Sequence, residues 1–286
     1  MNIEHFWNSW VLSFHATKPG KTITIMALTH GNEPAWLETL NYLIEEMKIA
    51  EKLESWTLHF VLWNLKAFEL NQRLTEVDMN RVWSFDEKHK NSYEYQRASE
   101  LKDILSKTDY FLDIHSTSKP AQPFILPHTH VHTDLLKRLK ADYAICDIAR
   151  FIHGKSTMWF VADQNSTAVT LTIECGSHSE QKTTDLSIYN TLVFLDYTWQ
   201  FDHLWVFDDF IEKKIYCAKE VIHASSIDVT FLYNSNPKSF DAVSKWQEIV
   251  RHWSKIFSSS YNGYILMPSQ AKYIWEEIGY TIIDKF

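Results

Sequence analysis

The 286-residue sequence predicts an α/β fold in which a mainly parallel or mixed sheet is covered by helices. Strand-like apolar runs alternate with helical patterns through residues 21–200, which is typical of such sheets. After Phe201 the apolar runs are shorter and follow one another closely, which indicates a smaller β-rich C-terminal domain. We therefore expect two domains, 1–201 and 202–286, although no Pro/Gly-rich linker marks the boundary.

Apolar, β-branched runs predict the strands of the first domain. They span residues 22–28, 58–64, 110–115 and 169–174. Apolar residues recur at helical spacing in residues 33–49, 93–108, 131–141 and 184–200, which predicts four helices. In the C-terminal region, strands are predicted at 215–218, 221–224, 229–233 and 263–267, and a helix at 242–257. The alternation in the first part of the chain places several strand ends at one edge of the sheet.

Histidines and carboxylates stand at these predicted strand ends. His30-Gly-Asn-Glu33 follows the first strand, with Glu33 in the first turn of the next helix, and His115 ends another strand. His and Glu three residues apart, with a distant His, can supply three zinc ligands and leave the fourth tetrahedral position for water. Ligands usually bind at strand carboxyl ends in open α/β sheets. Taken alone, H-x-x-E is more often a capped turn with an exposed histidine.

Other polar residues share this position. Asp113 lies two residues before His115, on the same strand face, and can orient its ring. Glu174 ends a further buried strand, before a Gly turn. A polar loop after the strand at 58–64 contains Arg73 and the pair Asn80-Arg81. A guanidinium group and an amide beside a cation suit a substrate carboxylate.

Four motifs together resemble the aspartoacylase and succinylglutamate desuccinylase family, which is related to the zinc carboxypeptidases. They are His30-Gly-Asn-Glu33, Asp78-Met-Asn-Arg81 with Arg73 upstream, Asp113-Ile-His-Ser-Thr117 and Ile173-Glu-Cys-Gly176. The resemblance covers residues 21 to about 180, and the family also has a trailing C-terminal region. It implies a zinc carboxypeptidase-like catalytic fold and hydrolysis of an N-acyl amino acid.

The resemblance also implies roles for individual residues. Zn²⁺ would be held by His30, Glu33 and His115, and Glu174 would be the catalytic carboxylate. Arg73 would contact the scissile carbonyl oxygen, while Asn80 and Arg81 would bind the substrate carboxylate. Asp78 would hold their loop in place. The substrate would be a small N-acyl amino acid.

The sequence departs from aspartoacylases at one substrate contact. Those enzymes have a further Arg shortly before the catalytic Glu, whereas residues 151–173 contain no Arg. Only Lys155 and the preceding Arg150 offer positive charge nearby. Acetylaspartate is therefore a doubtful substrate, and a substrate with one carboxylate is favoured. The family's late tyrosine contact has three candidates, Tyr261, Tyr264 and Tyr273.

Two alternatives to a deacylase remain. A zinc carboxypeptidase uses the same chemistry and the same carboxylate contacts. The short segment between Glu33 and His115 and the β-rich extension favour the deacylase instead. A catalytically silent carboxylate-binding protein is the other alternative, but binding alone requires neither Glu174 nor Arg73.

Composition indicates a soluble cytoplasmic enzyme. Apolar residues make up 45% and charged residues 22%, which is ordinary for a globular protein. The net charge of −8 and the lack of Lys/Arg-rich runs argue against nucleic acid and anionic membranes as partners. The N-terminal residues do not resemble a signal peptide, and no segment is long enough to span a membrane. A homo-oligomer is compatible with the sequence.

The cysteines and one cluster of histidines are best explained by structural roles. The cysteines Cys146, Cys175 and Cys217 are odd in number and widely spread, which favours reduced thiols, with Cys175 as a packing residue. His128, His130 and His132 could bind a metal, but no strand-end carboxylates lie near them in the sequence. This pattern indicates a polar loop or the start of a helix.

Overall fold

A computed structural model describes residues 2–6, 10–33, 35–128, 131, 133–198, 201, 210–253, 255–272 and 277–284. Its strands are β1 (Asn2–Phe6), β2 (Val11–His15), β3 (Lys18–Ala27), β4 (Ser55–Leu62), β5 (Tyr110–Thr117), β6 (Phe124–Pro127), β7 (Tyr143–Cys146), β8 (Val169–Ser177), β9 (Lys214–His223), β10 (Val229–Phe231), β11 (Asp241–Val243), β12 (Glu248–His252), β13 (Lys255–Ser258), β14 (Gly263–Leu266) and β15 (Glu277–Asp284). Its α-helices are α1 (Ala35–Asn41), α2 (Ile49–Lys52), α3 (Leu65–Glu69), α4 (Tyr93–Leu105), α5 (Thr133–Arg138), α6 (Thr157–Gln164) and α7 (Gln181–Tyr197). A π turn spans Tyr42–Glu46, and 3₁₀ turns span Met79–Arg81, Glu87–His89 and Ile148–Arg150.

The larger sheet is mixed, as predicted. Its order is β1-β2-β4-β3-β5-β8-β6-β7-β9-β15-β14-β11. The neighbouring strands β4, β3, β5 and β8 are parallel, while β2 and β6 are antiparallel to their neighbours in this group. Every residue of β8 is buried. Parallel strands covered on both faces are continuously apolar, which explains why the sequence signal for these strands was clear.

Helices cover both faces of this sheet. On β3, Ile25 packs in one apolar cluster and the adjacent Met26 in another, because successive side chains point to opposite faces. The first cluster includes side chains of α1 and α7, and the second includes side chains of α4 and α6. The two clusters bury the parallel strands, so their carboxyl ends form one rigid edge.

The C-terminal strands are arranged in two ways. β9, β15, β14 and β11 extend the larger sheet beyond β7, and β10, β12 and β13 form a separate antiparallel sheet. The predicted runs at 215–218 and 221–224 are parts of one strand, β9. The predicted domain boundary falls at residues 202–209, which lie outside the described residues, so the division into two domains stays a prediction.

The predicted helix at 242–257 is wrong. This segment forms β11, β12 and β13. β11 pairs with β14, and β12 pairs with β13, both in antiparallel register. Trp246 and Trp253 have positive φ angles of 69° and 52°, which are turn conformations that a helix does not contain. Their side chains are 72% and 73% exposed, so the apolar spacing does not mark a buried helical face.

Helix boundaries also differ from the prediction. The helix expected at 33–49 is divided into α1, the π turn and α2, because Lys48 has a left-handed φ of 48°. Glu33 lies before α1 and not in its first turn. The helix expected at 131–141 contains only the six residues of α5. Helices α3 and α6 and strands β1, β2, β6, β7 and β15 were also not predicted.

Candidate metal centre and active site

The loop after β3 carries the first two predicted ligands. His30 lies three residues beyond the end of β3, and Gly31 packs directly against the backbone of α3. A Cβ at Gly31 would lie 2.2 Å from the carbonyl carbon of Ala67, so any side chain would displace the loop. The Gly31 amide donates to the carbonyl oxygen of Arg73 at 3.1 Å. These contacts fix His30 beside the Arg73 loop.

His30, Glu33 and His115 come together as predicted. One donor atom from each lies within 4.8 Å of the others, and the three residues are only 3–4% exposed. Nδ1 of His30 is 2.6 Å from Oε1 of Glu33, and Nδ1 of His115 is 3.1 Å from Oε2. Both imidazoles therefore face the same carboxylate.

The chemistry of this group fits a divalent cation. Nδ1 of His115 is buried and, despite its 3.1 Å approach to Oε2 of Glu33, forms no hydrogen bond among the described residues, an arrangement that a cation would relieve. Burial alone would raise the pKa of Glu33, but the neighbouring His30 and His115 hold it well below its usual range. An ionised carboxylate with two imidazoles is a donor set that zinc takes.

Two further carboxylates lie behind the histidines. Oδ2 of Asp113 is 3.0 Å from Nε2 of His115, and Thr29 donates to the other oxygen of Asp113 at 3.0 Å. Oδ1 of Asp78 is 3.4 Å from Nε2 of His30. Such carboxylates orient metal-binding imidazoles. The expected position of Asp113 beside His115 is confirmed.

Glu174 lies next to this group on the adjacent strand. It is the register partner of His115 between β8 and β5, and it is 5% exposed. Its Oε2 atom has no hydrogen-bond partner in the part of the chain that the structure describes. Burial raises the pKa of Glu174 to about 7, although His115 and His30 act in the opposite direction. The carboxyl group is thus held without a fixed partner.

Arg73 lines the same cavity as Glu33 and Glu174. Its Nη2 atom is 3.0 Å from Oδ2 of Asp78, and its side chain is 39% exposed. Burial disfavours the cation, but the carboxylates of Asp78 and Glu33 outweigh this effect and raise the pKa of Arg73. Asp78 also accepts the Asn80 backbone amide at 2.8 Å, so it holds the loop as expected.

Asn80 and Arg81 also line the cavity, in the 3₁₀ turn Met79–Arg81. Oδ1 of Asn80 accepts hydrogen bonds from the backbone amide and the hydroxyl of Thr157, at 3.3 and 3.2 Å. Nη1 of Arg81 donates to the Asn80 carbonyl at 2.9 Å, and Nη2 donates to Oε2 of Glu277 at 2.7 Å. The guanidinium group therefore already has one carboxylate partner within the chain.

Glu277 and Tyr280 are cavity residues that the sequence reasoning missed. The Tyr280 hydroxyl donates to Oε2 of Glu277 at 2.7 Å, so both join Arg81. Among the expected tyrosines, Tyr264 packs against Tyr216 and Tyr261 is 39% exposed, and neither lines the cavity. Tyr273 lies outside the described residues. No local motif pointed to Tyr280.

The two cations proposed near the missing arginine lie outside the cavity lining. Lys155 pairs with Asp163 at 2.5 Å, and the 72% exposed Arg150 pairs with Asp147 at 3.2 Å. The His128 ring packs against Trp159, while His130 and His132 lie outside the described residues. Neither group therefore contributes a described side chain to the cavity.

Cys146, Cys175 and Cys217 form no disulfide. Burial raises the pKa of the Cys175 thiol, which confirms the expected packing residue rather than a nucleophile.

Within the described ranges, no helix combines the length and the apolar character needed to cross a bilayer.

The cavity that contains these residues has a volume of about 1500 Å³.

Solved structures with a similar fold include a succinylglutamate desuccinylase from Vibrio parahaemolyticus, with a TM-score of 0.76, 19% identity and coverage of 96% of this chain and 86% of that one. A product-bound ectoine utilization protein, EutE (DoeB), from Ruegeria pomeroyi has a TM-score of 0.70 and 16% identity, with coverage of 96% and 88%. These identities establish a common fold.

Sequence relatives agree with this fold. A probable aspartoacylase from Nostoc sp. (strain PCC 7120) is 27% identical over 192 residues, which span 61% of this chain and 64% of that protein. A succinylglutamate desuccinylase from Serratia proteamaculans is 29% identical over 119 residues, which span 39% of this chain and 35% of that protein. The matches thus cover less than two thirds of either relative.

Residues 19–195 match the family model of the succinylglutamate desuccinylase/aspartoacylase catalytic domain. The chain belongs to the succinylglutamate desuccinylase/aspartoacylase family.

Proposed function

We propose that this protein is a zinc-dependent amidohydrolase that hydrolyses the linear amide bond of an N-acyl amino acid. The observation that carries the proposal is the buried group of His30, Glu33 and His115 with the unpartnered Glu174 carboxyl on the adjacent strand. A protein that only binds carboxylates has no need for a buried, unpaired proton acceptor beside three metal-type donors. Membership of the family supports the same reaction.

The residues around the cavity have separate tasks in this reaction. Zinc, when bound, makes a water molecule acidic enough to react near neutral pH and polarises the amide carbonyl. Glu174 takes the proton of the attacking water and returns it to the leaving nitrogen. Arg73 stabilises the negative charge that grows on the carbonyl oxygen. The products are a carboxylate and a free amino acid, so atoms and protons balance.

Asn80 and Arg81 would position the substrate by its free carboxylate. A guanidinium group has five N–H donors, and Arg81 uses one on Asn80 and one on Glu277. The remaining N–H groups can donate hydrogen bonds to a second carboxylate. Because Glu277 already offsets part of the positive charge, the geometry of the planar group matters more than charge alone.

We expect Arg81→Lys to raise KM by about tenfold or more, because lysine keeps the charge but loses the planar pair of donors. Initial rates over a range of acyl amino acid concentrations provide the measurement. A carboxyl-amidated substrate should be poor with the wild-type protein and should lose little further with Arg81→Lys. Equal activity on the free and amidated substrates would remove Asn80 and Arg81 from substrate recognition.

Metal content tests the ligand assignment directly. Purified protein should contain about one zinc per chain, as a site with three protein ligands holds. We expect His115→Ala to lose most of this zinc, and elemental analysis after dialysis measures it. His128→Ala is the matched control, since His128 packs against Trp159 and does not line the cavity. Full zinc retention in His115→Ala would contradict the ligand assignment.

A substrate screen of the zinc-loaded protein tests the function as a whole. Acetyl, succinyl and formyl amino acids should be hydrolysed, while short peptides with free carboxyl termini should be poor substrates. Release of free amine can be followed for every compound. Peptide cleavage without acyl amino acid cleavage would identify a carboxypeptidase, and no cleavage of any compound would favour a protein that only binds carboxylates.

A further inference from the structure

Apolar side chains line the cavity together with Asn80 and Glu174. Asn80 contacts Thr157, and the next residue, Met158, reaches β8 by accepting a hydrogen bond on Sδ from the Thr172 hydroxyl at 3.7 Å. Thr172 lies two residues before Glu174, so the two side chains are on the same face of the strand. Met158 therefore lines the cavity together with Asn80 and Glu174, next to the residue that Asn80 contacts and against the strand that carries Glu174.

Three other apolar residues continue this surface. Leu126 on β6 is the register partner of Thr172, so it lies on the same face of the sheet as Glu174. Ile148 and Met267 pack in one apolar cluster with Leu126, and all three line the cavity. We refer to Leu126, Ile148, Met158 and Met267 as the apolar wall.

The apolar wall offers no partner for a negative charge. The Thr172 hydroxyl, which contacts Met158, already donates to its sulfur. The arginine and lysine side chains that line the cavity within the described ranges are not part of this wall; they are Arg73, Arg81, Lys88, Lys119 and Lys272. A carboxylate pressed against this wall would lose its hydration without gaining a hydrogen bond, which is strongly unfavourable.

We infer that the apolar wall is a specificity pocket for the side chain of the substrate amino acid, and that the protein takes N-acyl derivatives of amino acids with uncharged, apolar side chains. This inference rests on the proposed function. A substrate with its carboxylate at Asn80 and Arg81 and its amide at Glu174 is placed beside Met158, which adjoins Thr157 on the Asn80 side and contacts Thr172 on the strand of Glu174. An unbranched or moderately branched aliphatic side chain would then contact Leu126 and Ile148.

A homologous substrate series tests this inference with the wild-type enzyme. For acetylated alanine, aminobutyrate, norvaline and norleucine, kcat/KM should rise by roughly fourfold per added methylene, the effect of transferring about 0.8 kcal/mol of apolar surface. Acetylglutamate, which is close in length to acetylmethionine, should be poorer by on the order of 10²-fold. Calorimetric binding of the same compounds to Glu174→Gln should show the same order without turnover.

Substitution of Met158 should change this preference. Met158→Leu conserves apolar volume and should keep kcat/KM for acetylnorleucine within about threefold. Met158→Arg should lower it and should raise kcat/KM for acetylglutamate, because a guanidinium group pairs with the side-chain carboxylate. Ile227→Arg introduces the same charge at a side chain that is 60% exposed and outside the cavity lining, so it should change neither value.

The outcomes separate the inference from the function on which it rests. Hydrolysis of all acetyl amino acids with a flat response to chain length, or with acetylglutamate preferred, overturns the inference and leaves the proposed function standing. A preference for acetylglutamate that Lys119→Gln abolishes would place the substrate side chain at Lys119, another residue of the cavity lining. Absence of hydrolysis and of binding for every compound would overturn both.

Discussion

Glu174→Gln is expected to lower kcat by about 10²–10⁴-fold, the usual contribution of general acid–base catalysis. Glutamine keeps the size and shape of the side chain, but its amide cannot take a proton from water. Oε2 of Glu174 has no hydrogen-bond partner among the described residues, so the substitution breaks no such bond there. The thermal unfolding midpoint and the zinc content should therefore match those of the wild-type protein.

Single-turnover and steady-state rates on the best substrate measure this effect. Glu180→Gln is the matched control, because Glu180 is exposed and its side chain caps no helix. It should have the wild-type rate. If Glu174→Gln retains zinc and hydrolyses the substrate at the wild-type rate, the proton is taken by another group.

Arg73→Ala is expected to cost about 2.7–4 kcal/mol of transition-state stabilisation, or a loss of roughly 10²–10³-fold in kcat. Arg73 lines the cavity with Glu33 and Glu174, and its cation is stabilised by Asp78. A fixed positive charge stabilises the transition state, in which the carbonyl oxygen is negative, more than the bound substrate. The value of kcat should therefore fall more than KM rises. Arg73→Lys should restore part of the rate.

A loss of activity in Arg73→Ala has a second explanation, which zinc content distinguishes from lost oxyanion stabilisation. Asp78 contacts both Arg73 and His30, so loss of Arg73 could disturb the metal ligands indirectly. Zinc content should stay near the wild-type value in Arg73→Ala, and Arg150→Ala, which removes an exposed arginine, should leave the rate unchanged. A rise in KM with kcat unchanged would identify Arg73 as a substrate-binding residue rather than a stabiliser of the oxyanion.

The sequence predicts that His30, Glu33 and His115 come together because these residues are marked locally. His30 closely follows a buried strand, and His115 and Glu174 lie near the ends of two others. Parallel strands align their carboxyl ends, so residues far apart in sequence reach one edge without any knowledge of loop structure. This is why two motifs, His30-Gly-Asn-Glu33 and Asp113-Ile-His-Ser-Thr117, were sufficient to predict the group that the structure brings together.

The rest of the cavity depends on contacts that local patterns do not encode. Glu277 reaches Arg81 across 196 residues, through the pairing of β15 with β9. Met158 joins the cavity only because α6 packs against β8, and that helix was not predicted. The incorrect helix at 242–257 has the same origin, since apolar spacing cannot show that Trp246 and Trp253 are in turns.

The position of β15 has a consequence for the synthesis of the protein. β15 lies between β9 and β14, which both precede it in the chain, and it carries Glu277, the partner of Arg81. Ribosomes add ~5–20 residues per second, so roughly 10–40 s separate the synthesis of Arg81 from that of Glu277. Once residue 115 has been added, the nascent chain contains His30, Glu33 and His115, but the cavity still lacks Glu277 and Tyr280, which β15 supplies. A chain that stalls before β15 would therefore leave Arg81 without its carboxylate partner Glu277.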